Sequence, residues 1–144
     1  MKVEIRKDSF DPCTEVASYQ SLLQKAGQYG ATASFVGTMR DFNEGAQVRE
    51  MVLEYYQGMT EKHLESICIE ATKKWELLDI LVLHRVGHIS IGDPIVLVAV
   101  WSAHRAAAFD ACRFIMEDLK SKAPFWKQEI LENSKRWVEK NTPG

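Results

Sequence analysis

The chain has 144 residues and a formal net charge of −2 at pH 7, a length typical of one domain with a single hydrophobic core. Apolar residues make up 46% of the sequence and charged residues 26%, which indicates a globular domain rather than a disordered chain or a membrane protein. The absence of a basic excess argues against nucleic-acid binding, although a local basic patch for a small anion remains compatible with this balance.

The sequence predicts a cytoplasmic protein that is not inserted in a membrane. The N-terminus "MKVEIRKDSF" lacks the apolar segment of a signal peptide, and apolar runs such as "PIVLVAVW" (94–101) are too short to span a bilayer. Three cysteines, Cys13, Cys68 and Cys112, form no metal-type pair and are odd in number. We therefore expect reduced thiols.

The N-terminal half predicts a strand, a helix and two more strands. "KVEIR" (2–6) alternates as a short strand, and residues 14–26 have apolar side chains at helical spacing, with Thr14 as a candidate N-cap and Gly27 as a stop. Residues 30–40 and 49–56 are typical of strands. The polar stretch between them predicts an antiparallel hairpin.

The C-terminal half predicts two long helices and three extended segments. The first helix spans 59–75, with Thr60 as a candidate N-cap. Strands follow at 78–87 and 94–103, and the second is apolar enough to be central and covered on both faces. The second long helix begins after Ser102 and ends by about Ala123, where Pro124 disfavours helical geometry, and an extended piece covers 125–131.

Together these elements predict a single α+β domain over residues 1–144, in which a mainly antiparallel sheet carries two long helices.

Basic side chains cluster at the ends of the predicted elements, where scaffolds commonly hold binding groups. Arg40 ends a strand, and His104 and Arg105 begin the second long helix. A cation opposes the dipole at a helix N-terminus, so the pair fits best beside an external anion such as a phosphate. The alternative is that both side chains project into solvent or pair with a carboxylate.

Lys120, Lys122 and Lys127 surround the proline and the two aromatic rings of "LKSKAPFWKQE" (119–129). Cations in the last turn of a helix complement its dipole, which by itself explains Lys120 and Lys122. If Lys127 is partly buried beside a second ammonium group, the pKa of the amine falls and the lysine becomes a usable proton donor or nucleophile. The sequence leaves both interpretations open.

Arg105 and Lys120 lie fifteen positions apart on one predicted helix, so roughly 22 Å separates them along the helix axis. One small ligand cannot contact both residues of one helix. Either they serve different sites, or a site combines the helix start of one copy with the helix end of another, as a symmetric homodimer allows.

Other site templates are absent. The sequence contains no GxGxxG, GxxxxGK, GxSxG, CxxC or HExxH motif. His63, His84 and His88 lack metal-ligand spacing, and we interpret His84 and Arg85 as strand-end residues that pair with carboxylates. We predict no metal and no cofactor.

Five segments resemble one family, the large catalytic subunit of molybdopterin synthase. They are "SFVGTMR", "LEYYQGMTEK", "HRVGHISIGD", "SAHRAAAFDACRFIMEDLKSKAPFWKQE" and "RWVE", in the order and spacing of the family over about residues 30–138. The resemblance implies an alpha/beta-hammerhead-like fold and a homodimer at the centre of a heterotetramer. It also implies a small ubiquitin-like sulfur-carrier subunit whose thiocarboxylated Gly-Gly tail enters the pocket. Two sulfurs pass to cyclic pyranopterin monophosphate, and the dithiolene of molybdopterin forms.

The resemblance also implies site residues. The substrate pocket corresponds to Thr38, Met39, Arg40, His104, Arg105, Lys120, Lys127, Gln128 and Glu129. Lys120 and Lys127 are the implied catalytic residues, Lys120 as the acid/base or transient covalent group and Lys127 as its support. Gln128 stands where relatives often have a basic residue, directly after the lysine that corresponds to Lys127. Lys140 is a candidate to replace an arginine that relatives carry in the C-terminal tail.

Two other functions remain compatible with the sequence. One is a non-catalytic dimeric module that binds a small anion, which would need the arginines but not two lysines at one channel. The other is an assembly subunit for a ubiquitin-like partner, in which changes at Lys120 and Lys127 would weaken docking rather than rate.

Overall fold

A computed structural model describes residues 1–43, 46–131 and 134–138 as an α+β structure with three helices and two sheets. The helices are α1 (Pro12–Leu23), α2 (Met59–Lys74) and α3 (Arg105–Lys122). The strands are β1 (Lys2–Arg6), β2 (Ala31–Thr38), β3 (Phe42–Asn43), β4 (Ala46–Tyr55), β5 (Asp79–Arg85), β6 (Gly87–Ser90), β7 (Pro94–Ser102), β8 (Phe125–Leu131) and β9 (Lys135–Trp137). The predicted fold class is confirmed, but the strands divide between two sheets instead of one.

The first sheet has the order β1-β5-β7-β2, in which β1 runs parallel to β5 and the other pairs are antiparallel. The central strand β7 is buried from Val96 to Ser102. Alternate β7 side chains face opposite sides: Val98 and Val100 pack in the cluster with α2 and α3, and Leu97 and Trp101 pack with residues of α1. The prediction of a central strand covered on both faces is confirmed.

The second sheet has the order β3-β4-β8-β9, with β6 also paired to β4. Its core contains Met39, Met51, Leu53, Val86 and Ile89. The predicted hairpin between 30–40 and 49–56 is wrong, because β2 pairs with β7 along its whole length while β4 pairs with β6 and β8. Strands β2 and β4, which only the two-residue β3 separates in the chain, thus belong to different sheets.

Two predicted helix caps are also wrong. The carboxylate of Asp11, not Thr14, caps α1 by accepting a hydrogen bond from the backbone N–H of Cys13. Gly58 precedes α2, and Thr60 lies inside the helix with its side chain completely buried. The predicted stop at Gly27 is wrong as well, because α1 ends at Leu23 and Gln24 already has a left-handed backbone. Pattern reasoning found both helices but missed the cap residues and the end of the first helix.

Helix α3 ends as its sequence predicts. It begins after His104 and ends at Lys122, and Ala123 is already extended before Pro124. None of the helices in the described ranges is long and apolar enough to cross a membrane.

Candidate active site

Lys120 and Lys127, which are seven positions apart in the sequence, lie side by side where α3 turns into β8. Both side chains are half-buried. They are close enough for the charge of Lys127 and a side-chain contact with it to lower the pKa of Lys120. Two neighbouring ammonium groups repel each other, so this arrangement favours the loss of a proton.

The electrostatic surroundings make the proton of Lys120 easier to lose than that of an ordinary lysine. Burial is the largest cause that lowers the pKa of Lys120 from the ordinary value of 10.5 to about 8. The charge of Lys127, its hydrogen bond and then the charge of Arg40 lower this pKa further. Near neutral pH a useful fraction of Lys120 is an uncharged amine, which is the form that attacks a carbonyl carbon or accepts a proton.

A pocket of about 770 Å³ opens beside this lysine, within the size range of small-molecule sites. One wall is formed by β2 from Ala33 to Thr38, and the other by α3 from Phe109 to Lys120. Arg40 also lines the pocket. The structure thus brings the predicted residues Thr38, Arg40 and Lys120 to one cavity.

The turn before β7 holds Arg40 at this cavity. The β2–β7 register shifts between Gly37 and Thr38, an irregularity that redirects the following side chains. The backbone of Met39 then makes two hydrogen bonds of 2.9 Å, donating to the carbonyl of Asp93 and accepting from the N–H of Gly92. Arg40 therefore follows a segment that is tied to the β6–β7 turn.

Met39 and Glu129 are predicted site residues whose side chains are buried. Met39 is 5% exposed, packs in the core of the second sheet and does not line the pocket. Glu129 on β8 is also buried, and its carboxylate accepts a hydrogen bond of 3.0 Å from Nε of Arg136 on β9. This ion pair ties β8, the strand of Lys127, to β9.

Two further predictions fall partly or wholly outside the described residues. The backbone of Gln128 pairs with Val52 and Trp137, whereas its side chain lies outside the described part. Lys140 lies outside it entirely.

His104 and Arg105 lie at the opposite end of α3 from Lys120. Both side chains are exposed, and neither lines the pocket. His104 occupies the N-cap position without a side-chain capping hydrogen bond. Within one chain these two residues do not join the lysine site.

Sequence reasoning missed His84, which the fold brings next to the lysines. It was expected to pair with a carboxylate, but it is buried, its Nδ1 lies 2.9 Å from the carbonyl oxygen of Arg85, and its ring stacks on Phe125. Burial first, and then the charges of Lys120 and Lys127, lower the pKa of His84 to about 3. In the sequence, only the position of His84 at the end of the apolar run "ILVL" (80–83) indicates that its side chain is buried.

The cysteines contribute no reactive group to the site. Cys112 reaches the pocket wall, but burial raises the pKa of its thiol to about 11, and burial raises that of Cys68 to about 12. Such thiols stay protonated and weakly nucleophilic. Across the described ranges, no three His, Cys, Asp or Glu side chains converge in a way that could hold a metal ion.

The chain is similar to proteins of one known family. The model of the MoaE protein family matches residues 6–122. The molybdopterin synthase catalytic subunit of Pseudomonas aeruginosa is 48% identical over 139 residues, which cover 96% of this chain and 91% of that relative.

Two solved structures agree with this match. The molybdopterin biosynthesis MoaE protein from Burkholderia ambifaria has a TM-score of 0.81 and 42% identity, covering 99% of this chain and 91% of that one. Molybdopterin synthase from Staphylococcus aureus has a TM-score of 0.83 and 32% identity, covering 94% and 95%. These two structures match at least 94% of the chain, and the chain belongs to the MoaE protein family.

Proposed function

We propose that this chain is the catalytic subunit of a molybdopterin synthase. In this function it transfers two sulfurs from the thiocarboxylated C-terminus of a small ubiquitin-like subunit to cyclic pyranopterin monophosphate and forms the molybdopterin dithiolene. The observation that carries the proposal is Lys120, which shares one pocket with Arg40 and has its pKa lowered by burial and by the neighbouring Lys127, in a chain of the MoaE family.

The two lysines have different roles in this mechanism. Lys120, as a neutral amine, is the acid/base or transient covalent group at the sulfur-transfer centre. Lys127 positions the anionic thiocarboxylate and stabilises the negative charge that develops as sulfur leaves. The depressed pKa of Lys120 supports this division, because it gives an amine that changes protonation state near neutral pH.

The substrate phosphate and pterin are held by Arg40, His104 and Arg105. Arg40 lies at the pocket in the same chain as the lysines. His104 and Arg105 begin α3, whose free N–H groups favour an anion. Thr38, Met39, Gln128 and Glu129 complete the proposed substrate site.

The geometry supports a site shared between two copies. Arg105 and Lys120 are separated by roughly 22 Å along α3, so His104 and Arg105 of a second copy would complete the pocket. Phe35, Val36 and Phe109 are apolar, exposed and part of the pocket wall, as expected of a surface that another chain covers. We propose a homodimer with one small ubiquitin-like subunit bound at each end.

We further propose that residues 1–144 form a single domain and that the protein acts in the cytoplasm. Two of the apolar clusters share Ile5 and Phe125 at their edges, so the two sheets adjoin through common packing. Cys13, Cys68 and Cys112 are all free thiols, as is usual in a reducing compartment.

The test mixes the purified chain with thiocarboxylated small subunit and cyclic pyranopterin monophosphate, and follows the dithiolene as its oxidised fluorescent derivative. We expect product from the wild type and from Lys122→Ala, because Lys122 is exposed and paired with Asp118 at 3.1 Å. We expect none from Lys120→Ala. Failure of the wild type would refute the function, and normal turnover by Lys120→Ala would refute its assigned role. A folded Lys120→Ala that binds the small subunit normally but makes no product excludes a pure docking role.

A further inference from the structure

A short bend, residues 123–125, connects the helix of Lys120 to the strand of Lys127. Ala123 leaves the helix in an extended conformation, and the N–H of Phe125 donates to the carbonyl of Ala123 at 2.9 Å. The two amines lie on opposite sides of this bend in the sequence. Their separation therefore depends on where the bend is held against the rest of the protein.

Thr60 holds the bend from the side of α2. Its side chain is completely buried, and its Oγ1 donates to the carbonyl oxygen of Pro124 at 3.1 Å. The Oγ1 of Thr60 also accepts a hydrogen bond from the N–H of Tyr56, again at 3.1 Å. The Thr60 hydroxyl thus links the end of β4, the start of α2 and the bend, although 64 positions separate Thr60 from Pro124.

His84 holds the next residue of the bend from the side of β5. Its ring stacks on that of Phe125 with centroids 4.0 Å apart and planes inclined by 18°. The contact between Nδ1 and the Arg85 carbonyl fixes the orientation of the ring, and for a neutral ring this contact requires the proton on Nδ1. Because its pKa is about 3, His84 supports Phe125 without adding a third positive charge beside the lysines.

We propose that Thr60 and His84 are positioning residues that clamp the 123–125 bend and so set the separation of Lys120 and Lys127. The inference deepens the proposed function and rests on it for its catalytic meaning. Neither residue is required to touch the substrate. Each acts on a successive residue of the bend, Thr60 on a backbone carbonyl and His84 on a side chain.

The clamp has a consequence for the protonation of Lys120. The groups that interact electrostatically with this amine include Lys127 on β8, Arg40 after β2 and His84 on β5. The charged or titratable residues of α3 that line the same pocket are Asp110, Cys112, Arg113 and Glu117. Both the charge and the hydrogen bond of Lys127 lower the pKa of Lys120. If the bend shifts and the two amines separate, these effects weaken and the pKa of Lys120 rises toward 10.5.

The test measures this pKa directly, without the synthase reaction. Competitive acetylation with acetic anhydride across a pH series, read by mass spectrometry of the peptides, gives the pKa of Lys120 and that of Lys122 as an internal reference. Thr60→Val keeps the shape of the side chain but removes both hydrogen bonds, whereas Thr60→Ser keeps the hydroxyl. His84→Leu removes the stacked ring, and His84→Phe restores a ring of similar size.

We expect Thr60→Val to raise the pKa of Lys120 by about one pH unit, which reduces its neutral fraction at about pH 7.5 roughly eightfold. Thr60→Ser should titrate like the wild type, and Lys122 should be unaffected in every variant. His84→Leu should raise the same pKa and His84→Phe should largely restore it. In the synthase assay, kcat should fall in Thr60→Val while the KM for cyclic pyranopterin monophosphate changes little.

A folded Thr60→Val protein in which Lys120 titrates at the wild-type pKa would overturn the clamp. Should Thr60→Val fail to fold, the His84→Leu and His84→Phe pair decides by the same criterion. If the pKa shifts but the wild type makes no dithiolene, the clamp stands and the proposed function fails. If the wild type makes dithiolene and the pKa does not move, the function stands and the clamp fails.

Discussion

Replacing Lys120 by methionine should stabilise the protein near neutral pH while it abolishes sulfur transfer. The fall of the Lys120 pKa from 10.5 to about 8 means that its ammonium form is less favourable in the folded than in the unfolded chain. At 1.36 kcal/mol per pH unit the difference amounts to ~3.4 kcal/mol. Because the side chain is only half-buried, we expect about 1–2 kcal/mol of this to be observed. Methionine is flexible and apolar and can occupy the same space.

The gain should depend on pH in a defined direction. The unfolded chain binds the Lys120 proton below 10.5 and the folded chain only below about 8. Between these values the unfolded state holds more protons, so the stability of the wild type rises with pH. The advantage of Lys120→Met is therefore largest below pH 8 and disappears toward pH 10.5.

Urea unfolding at about pH 7 and about pH 9.5 measures this difference. The control is Lys122→Met, which removes an exposed lysine paired with Asp118 and should change the free energy of unfolding by no more than ~0.5 kcal/mol. A Lys120→Met protein less stable than the wild type at pH 7 would refute the reasoning. An equal gain at both pH values would refute it as well, because the effect would then come from packing.

Three more predictions concern the reaction, the shared site and the support of β8. The rate of sulfur transfer should rise with an apparent pKa of about 8 as Lys120 loses its proton, and a flat profile from pH 7 to 9 would contradict its role as base or nucleophile. Arg105→Ala and Lys120→Ala chains should each be inactive alone but regain roughly one quarter of wild-type activity when they are mixed equally and form dimers at random. About half of the dimers are then mixed, and each mixed dimer has one intact site of two. No recovery would exclude a shared site. Glu129→Gln should lower the free energy of unfolding in urea by about 2 kcal/mol. Breaking a fully buried ion pair costs ~3–5 kcal/mol, and the loss is smaller here because Arg136 is partly exposed. An unchanged unfolding midpoint would show that the ion pair contributes nothing to stability.

Local chemistry explains the parts of the fold that were predicted correctly. The apolar run of β7 predicts a strand buried on both faces, and Pro124 predicts the end of α3. Both features depend on the residues themselves or on their immediate neighbours. The same reasoning placed α2 and α3 within a few residues of their observed bounds.

The sequence did not predict which of several possible hydrogen-bonding partners a residue or strand would use. Thr14 and Asp11 both offer an oxygen near the start of α1, and the geometry selected Asp11. The hairpin between 30–40 and 49–56 was plausible locally, but β7 pairs with β2 and β8 with β4. Strand pairing is decided by the sheet as a whole, where distant edges compete for the same hydrogen-bonding groups.

The sequence by itself determined the fold class, the two long helices, the family and the choice of Lys120 and Lys127 as catalytic candidates. Only the tertiary structure decided that the two lysines lie side by side, that burial and Lys127 lower the pKa of Lys120, and that His84 and Thr60 contact the bend between them. The physical reason is that burial and hydrogen bonding depend on residues far apart in the chain. Thr60 and Pro124, for example, are 64 positions apart, and no local pattern predicts their contact.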